Sequence, residues 1–386
     1  MKIALVSPIE ETVPPILYGG IEWVVYYLAK ILSEKKHDVY LLTTKNSPKN
    51  GDYKIIPIYN QSIRRIEPYK SNLKVRETAK FIAVGNALEF LLKEKFDIIH
   101  NHASWRFLIF EKLFSPQKFI TTLHGPLNID YQNLVFLEHK ESFYISISNN
   151  QRKDLPNLNY VKTIYNGVDT NFFKFKEYEK QDHLLFFARF SPEKGIKEAI
   201  EVIEKVKRKF VVAAKVDRND LNFFNSLKER VENNPKIEFH GEVGLDKKTL
   251  YYQNARTLFV PIMWEEPFGL MFTEAMASGT PVITFARGSV PEVIKDGETG
   301  FIVNPSNDDI RGDFIIKKTG IEGLCEAVER IYSMPEEQYR KMRKACREHV
   351  EKNFTVEKMV DEYEKVYEEV ISQRKQGLEN YLETHK

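Results

Sequence analysis

Short apolar runs alternate along this chain with longer stretches in which apolar positions recur every three or four residues. That alternation predicts parallel sheets covered by helices, an α/β fold. In the first half the predicted strands are Lys2–Ser7, Asp38–Thr43, Asp97–His100, Lys118–Leu123, Phe143–Ser148 and Val161–Tyr165. In the second half they are Leu184–Ala188, Phe210–Lys215, Ile237–His240, Thr257–Pro261, Val282–Phe285 and Phe301–Val303. Two such sets predict two similar doubly wound domains. Behind Gly20 the spacing of Ile21, Val24, Leu28, Ile31 and Leu32 predicts an amphipathic helix. The polar segment Lys174–Asp182 reads as the linker, and beyond Gly320 the pattern is helical and charged, without a strand.

Composition narrows the class. A length of 386 residues suggests two domains, each able to bury its own core. With 29% charged residues and a net charge of +2, nothing points to a nucleic-acid partner. The two cysteines, Cys325 and Cys346, fall in helical patterns and match no metal or disulfide framework. No apolar run approaches the ~20 residues that span a bilayer. The opening KIALVSPI is followed by Glu10 and Glu11 and reads as a first strand, not a leader. The expectation is a soluble protein in the reducing cytoplasm.

The chemistry concentrates in residues 264–281, WEEPFGLMFTEAMASGTP. Glu266 and Glu274 are separated by seven residues, with Phe268 and Gly269 opening a predicted helix. A carboxylate in so apolar a helix needs hydrogen-bond partners. The free amides of the helix start, at Phe268, Gly269, Leu270 and Met271, suit phosphates. Two hydroxyl-binding carboxylates flanking phosphate-binding amides match a nucleotide diphosphate sugar. An N-terminal cap plus an exposed helix glutamate is the plainer alternative.

This segment resembles the Glu-x7-Glu region of retaining glycosyltransferases with the GT-B fold, the group that includes bacterial glycogen synthase and sucrose synthase. Further motifs fall in that family's order: Tyr18-Gly19-Gly20 with Glu22, Leu123-His124-Gly125, and Asn166-Gly167-Val168-Asp169 precede it. So does Ala188-Arg189-Phe190-Ser191-Pro192-Glu193-Lys194-Gly195, while Gly279-Thr280-Pro281 and Asp296-Gly297-Glu298-Thr299-Gly300 follow it. Ala188 stands where the family usually has glycine.

The resemblance implies two Rossmann-like domains facing a cleft, residues 1–173 on the acceptor side and 174–355 on the nucleotide-sugar side. Residues 356–386 would form a helix returning to the first domain. It further implies that Arg189 and Lys194 stabilise the departing nucleoside diphosphate, an arginine fork and a lysine point charge. Glu274 would take the ribose hydroxyls, Glu266 would approach the sugar near its 3- and 4-hydroxyls, and His124 would contact a sugar hydroxyl. Gly19 and Gly20 let a backbone approach phosphate, although Pro14, Pro15 and the glycines also suffice to shape a turn. The loop lacks G-x-G-x-x-G, which argues against a nicotinamide dinucleotide. His100 and His102 alternate at a strand end; without a convincing third ligand, His102 is read as acceptor-side, not metal-binding. The Gly241–Gly244 loop is expected beside the nucleobase.

Residues 61–80 carry Arg64, Arg65, Lys70, Lys74, Arg76 and Lys80 against Glu67 and Glu77. A solvated helix face explains them; steering of an anionic acceptor, or peripheral contact with acidic lipid heads, is the alternative. The resulting expectation is a retaining, metal-independent hexosyltransferase using UDP-glucose or a related UDP-sugar. No cofactor is expected beyond that co-substrate. GDP-mannose as donor, or a non-catalytic sugar-nucleotide-binding module, are the alternatives. The acceptor, whether sugar, lipid or small metabolite, would meet residues 8–18, 60–75 and 101–106, whose sequence does not identify it.

Overall fold

The computed structural model describes residues 1–17, 19–114, 118–176 and 182–384, with side chains as far as residue 372. Tyr18 and the middle of the predicted linker lie outside the described residues. In the first half, β1 (Lys2–Val6), α1 (Gly20–Glu34), β2 (Asp38–Thr44), β3 (Lys54–Tyr59), α2 (Leu73–Lys93) and β4 (Ile98–Asn101) follow one another. After them come the one-turn α3 (Trp105–Leu108), β5 (Phe119–Leu123), α4 (Asp130–Glu138), β6 (Phe143–Ser146) and β7 (Tyr160–Thr163). The second half runs β8 (His183–Arg189), α5 (Ile196–Val206), β9 (Lys209–Lys215), α6 (Leu221–Glu232), β10 (Ile237–Phe239) and α7 (Leu245–Gln253). It continues with β11 (Thr257–Phe259), α8 (Leu270–Ala277), β12 (Val282–Phe285), α9 (Val290–Val293), β13 (Gly300–Val303), α10 (Gly320–Ser333) and α11 (Glu336–Asn353). Helix α12 (Val356–Thr384) ends the described chain.

Both sheets are parallel and doubly wound. The first has the order β3-β2-β1-β4-β5-β6-β7 and the second β10-β9-β8-β11-β12-β13. Parallel strands are covered on both faces, so they read as continuous apolar runs, as in the fully buried VITF of β12. The sequence pattern predicts six strands in the first half; the structure adds a seventh, β3. Its KIIPIY carries Pro57, which removes a backbone donor, and of its six residues only Ile58 is buried. At the sheet edge only one side of the strand must pair, so the proline is tolerated.

The chain divides into two compact units, residues 1–167 with 356–386, and residues 168–355. Residues 168–173 pack with the second unit, where Arg347 on α11 donates to the carbonyls of Thr170, Phe173 and Ala277. Helix α12 belongs to the first unit. Its Met359, Val360, Tyr363, Val366, Tyr367 and Val370 form one helical stripe buried in the same core as Val24, Val25 and Leu28 of α1. Outside that stripe Lys35 meets Asp361 at 2.7 Å, and His37 meets Glu364 at 2.6 Å.

Candidate functional site

Each sheet reverses its strand order once, between β1 and β4 and between β8 and β11. In open α/β sheets the crevice outside the carboxyl ends of strands at such a point is where ligands bind. In the second unit β8 ends on Arg189, and β11 leads into the segment carrying Trp264, Glu266 and Gly269. Gly195 holds the two loops together. It has φ of +74°, and a Cβ there would sit 1.8 Å from the Pro261 carbonyl oxygen. The Met263 amide also donates to the Glu193 carbonyl at 2.9 Å. Gly195→Ala should therefore lose at least the ~1–2 kcal/mol of the left-handed backbone, plus the clash. A thermal melt checks this, and an unchanged melting temperature would contradict the locked arrangement.

Lys194 and Glu266 form an ion pair, and both residues are 7% exposed. The indole Nε1 of Trp264 donates to the same Glu266 carboxylate at 3.0 Å, and the Lys194 ammonium lies 4.9 Å from the centre of the Trp264 ring. A buried carboxylate is tolerable on these terms, with a cation and a second donor. Behind it Gly288 passes so close that an added Cβ would lie 2.2 Å from the Glu266 carbonyl oxygen. The Ser289 amide donates to that carbonyl at 2.9 Å, and the Ser289 hydroxyl donates to the Phe268 carbonyl at 2.8 Å.

Arg189 is half-buried among carboxylates. It pairs with Glu193, and Asp217 and Asp220 each lie 3.8 Å from it. Burial pushes the Asp220 carboxyl up, opposed by Arg189. The arginine is thus held ready but not bare; a diphosphate would share or displace Glu193. A guanidinium has five donors, enough to serve both.

Helix α8 starts at Leu270 behind Gly269, and no side chain caps it. Its first amides have no acceptor within the helix, which gives that end the partial positive charge that attracts anions. One turn further, Glu274 is buried at 7% exposure. It accepts from the Lys248 ammonium at 2.7 Å and the Tyr252 hydroxyl at 2.9 Å, both on α7. Two carboxylate oxygens offer about four acceptor positions, so these partners leave room for further donors. Lys248, Tyr252 and Trp264 escape sequence reasoning, because neither residue type nor spacing marks them. The Gly241–Gly244 loop lies beyond the carboxyl end of β10.

Gly19, Gly20 and His124 belong to the first unit. Gly19 precedes α1, and Glu22 in the first turn is buried; burial pushes its carboxyl up to about 7. His124 follows β5 and heads a chain of three imidazoles. Its Nε2 lies 2.8 Å from Nδ1 of His102, whose Nε2 lies 3.1 Å from Nδ1 of His100. His100 in turn meets the Tyr367 hydroxyl of α12 at 2.6 Å and the Thr122 hydroxyl at 2.8 Å. Burial holds all three imidazoles below their ordinary range, His124 down to about 3. His100, which sequence reasoning placed with His102 at a strand end, is a fully buried link to α12.

The basic segment is largely neutralised from within. Arg76 and Lys80 pair with Glu10, Lys80 and Arg106 with Glu77, and Arg64 and Arg65 with Glu11. Among the described residues no helix is long and apolar enough to cross a membrane.

Comparison with known proteins bears on both units. Residues 18–172 match the family described as Glycosyltransferase Family 4, and residues 167–349 match Glycosyl transferases group 1. N-acetyl-alpha-D-glucosaminyl L-malate synthase of Bacillus anthracis is 26% identical over 398 aligned positions, covering 93% of this chain and 96% of that relative. Sucrose-phosphate synthase from Thermosynechococcus elongatus superposes with a TM-score of 0.77 at 20% identity, over 97% of this chain and 100% of the other. HepE of Anabaena, solved with UDP and glucose, gives 0.71 at 15% identity, over 96% and 100% of the two chains. At such identities the two structures share the fold with this chain.

Proposed function

The chain belongs to the GT-B glycosyltransferases that act on nucleotide sugars, and on that footing we propose that it moves a hexose from a UDP-sugar to an acceptor hydroxyl with retention. The observation that carries this reading is the buried Lys194–Glu266 pair, whose glutamate stands in the segment that leads to the uncapped start of α8. Arg189, Lys194 and the α8 amides meet the charge that develops on the departing diphosphate. Fixed donors of this kind need no reorganisation as the bond breaks. They supply the positive charge that a metal would otherwise bring, and the transfer is accordingly proposed to be metal-independent.

Glu274 accepts from the ribose hydroxyls while keeping Lys248 and Tyr252. Glu266, oriented by Lys194 and Trp264, accepts from hydroxyls of the hexose. Neither carboxylate is assigned as nucleophile, because both are engaged by a neighbouring lysine. The two-carboxylate glycosidase scheme is therefore not imposed on them. The leaving phosphate takes the proton of the acceptor hydroxyl as that hydroxyl attacks from the same face.

Calorimetric titration with UDP tests the division between the glutamates. Glu274→Gln should weaken UDP binding by ~1.5–3 kcal/mol, as for lost hydrogen bonds to a charged group. Glu266→Gln should keep UDP affinity and abolish turnover, since its partner is the sugar. Equal losses of UDP affinity in both variants would contradict the assignment.

A further inference from the structure

At the reversal point of the first sheet, between the carboxyl ends of β1 and β4, a cavity of about 180 Å³ opens within the first unit. Val6, Ile9 and Ala83 give it apolar walls, and Glu10, Lys80 and Arg106 give it charged ones. Its volume slightly exceeds that of a ~150 Å³ cavity that holds benzene. It is smaller than the ~300 Å³ at which drug-sized pockets begin. It therefore suits a single ring or a short chain.

The charges are unequal. Arg76, Lys80 and Arg106 share the two carboxylates Glu10 and Glu77, so the cluster carries one positive charge in excess. Although burial works against it, Arg76 and Lys80 hold the Glu10 carboxyl down to about 2. Both carboxylates are thus already counted as ionised, and the surplus stands. His102 also lines the cavity and, buried as it is, stays neutral. The excess positive charge faces apolar walls, where an anion's attraction is less screened than on an open surface.

The wall itself is held in a costly shape. Ser104, another lining residue, has φ of +72° and ψ of −163°, a region nearly confined to glycine that costs a serine roughly 1–3 kcal/mol. Its carbonyl is fixed by the Asn101 side-chain amide at 3.0 Å. Strain of this kind collects at ligand sites.

We propose that this cavity binds the acceptor, a compact hydroxylated molecule with a carboxylate or phosphate on an apolar body, its anion met by Lys80 and Arg106. The inference rests on the transferase reading above and names the substrate class for it. In the step it serves, the acceptor oxygen bonds to the anomeric carbon as the bond from that carbon to the diphosphate oxygen breaks. The hydroxyl proton leaves with the nucleoside diphosphate.

The test titrates the full chain calorimetrically with 4-(hydroxymethyl)benzoate, 4-(hydroxymethyl)phenyl phosphate and benzyl alcohol, which share one ring and differ in charge. At least one acid should bind ~10-fold or more tightly than the alcohol, and the tighter acid tells carboxylate from phosphate. The advantage should shrink when salt rises from about 50 mM to about 500 mM. Lys80→Gln and Arg106→Gln should each reduce it, Arg106→Lys should retain most of it, and Ala83→Leu, which fills the cavity, should weaken all three ligands. Melting curves check that each variant is folded; if a glutamine variant is not, the salt series and Ala83→Leu decide. Equal affinity for acid and alcohol, no binding of any probe, or an acid preference untouched by Ala83→Leu would overturn the proposal. UDP titrated into the same preparation separates the two readings. Acid preference without UDP binding would sink the donor assignment and leave the cavity standing, and the reverse result would do the opposite.

Discussion

Replacing Lys194 by methionine is expected to lower transfer by at least ~10²-fold, the usual consequence of removing one preorganised donor from a developing negative charge. The same change should destabilise the second unit. Lys194 and Glu266 are both 7% exposed and paired with each other. Removing one partner from a buried pair leaves an uncompensated charge and costs ~3–5 kcal/mol. The two effects separate in the double variant Lys194→Met, Glu266→Gln, which restores charge balance while keeping an acceptor for the Trp264 indole. Its melting temperature should recover much of the loss, while its UDP affinity, which Glu266→Gln alone should leave intact, should stay weakened. Recovery of both would reduce Lys194 to a structural role.

The second large effect concerns acid. His100 and His102 are buried and His124 is half-buried, and desolvation holds all three rings neutral, below the ordinary imidazole range. The groups that face them are each other, the hydroxyl of Thr122 and those of Tyr363 and Tyr367 on α12. In the unfolded chain each would take up a proton near pH 6.5. Folded-state values below unfolded ones mean that the unfolded chain binds more protons, so stability rises with pH. The contribution is complete above about pH 6.5 and is lost as the pH falls towards the folded value, about 3 for His124. Between pH 7.5 and 5.5 that amounts to on the order of 1 kcal/mol per histidine, and a few kcal/mol for the three together. Urea unfolding across this range, compared with His102→Gln, checks it. The variant's stability should fall less steeply on acidification, and parallel curves would contradict the assignment.

How much of this was legible in the sequence follows from which forces act locally. Strands such as β1 and β12 are covered on both faces, so their burial is written as unbroken apolar runs. Pro57 hid β3, because a proline argues against a strand unless the strand is known to be an edge. The seven-residue spacing of Glu266 and Glu274 marked the segment, but not what surrounds each carboxylate. Lys194 stands 72 residues before Glu266, and Tyr252 stands 22 before Glu274 on a different helix. Only the fold brings those pairs together. For the same reason the stripe at residues 61–80 looked more cationic than it is. Arg76 finds Glu10 66 residues away, on the wall of a cavity that no local pattern announces.

The central claim is that fixed protein donors move a hexose from a UDP-sugar with retention and without metal. Proton NMR of UDP-glucose incubated with the chain, excess EDTA and a panel of hydroxylated acceptors tests it directly. The account predicts that the donor's anomeric signal disappears only when a suitable acceptor is present, with free UDP and an α-linked anomeric signal taking its place. A donor left intact with every acceptor, an epimer formed without one, or turnover that EDTA abolishes and Mn²⁺ or Mg²⁺ restores would contradict it.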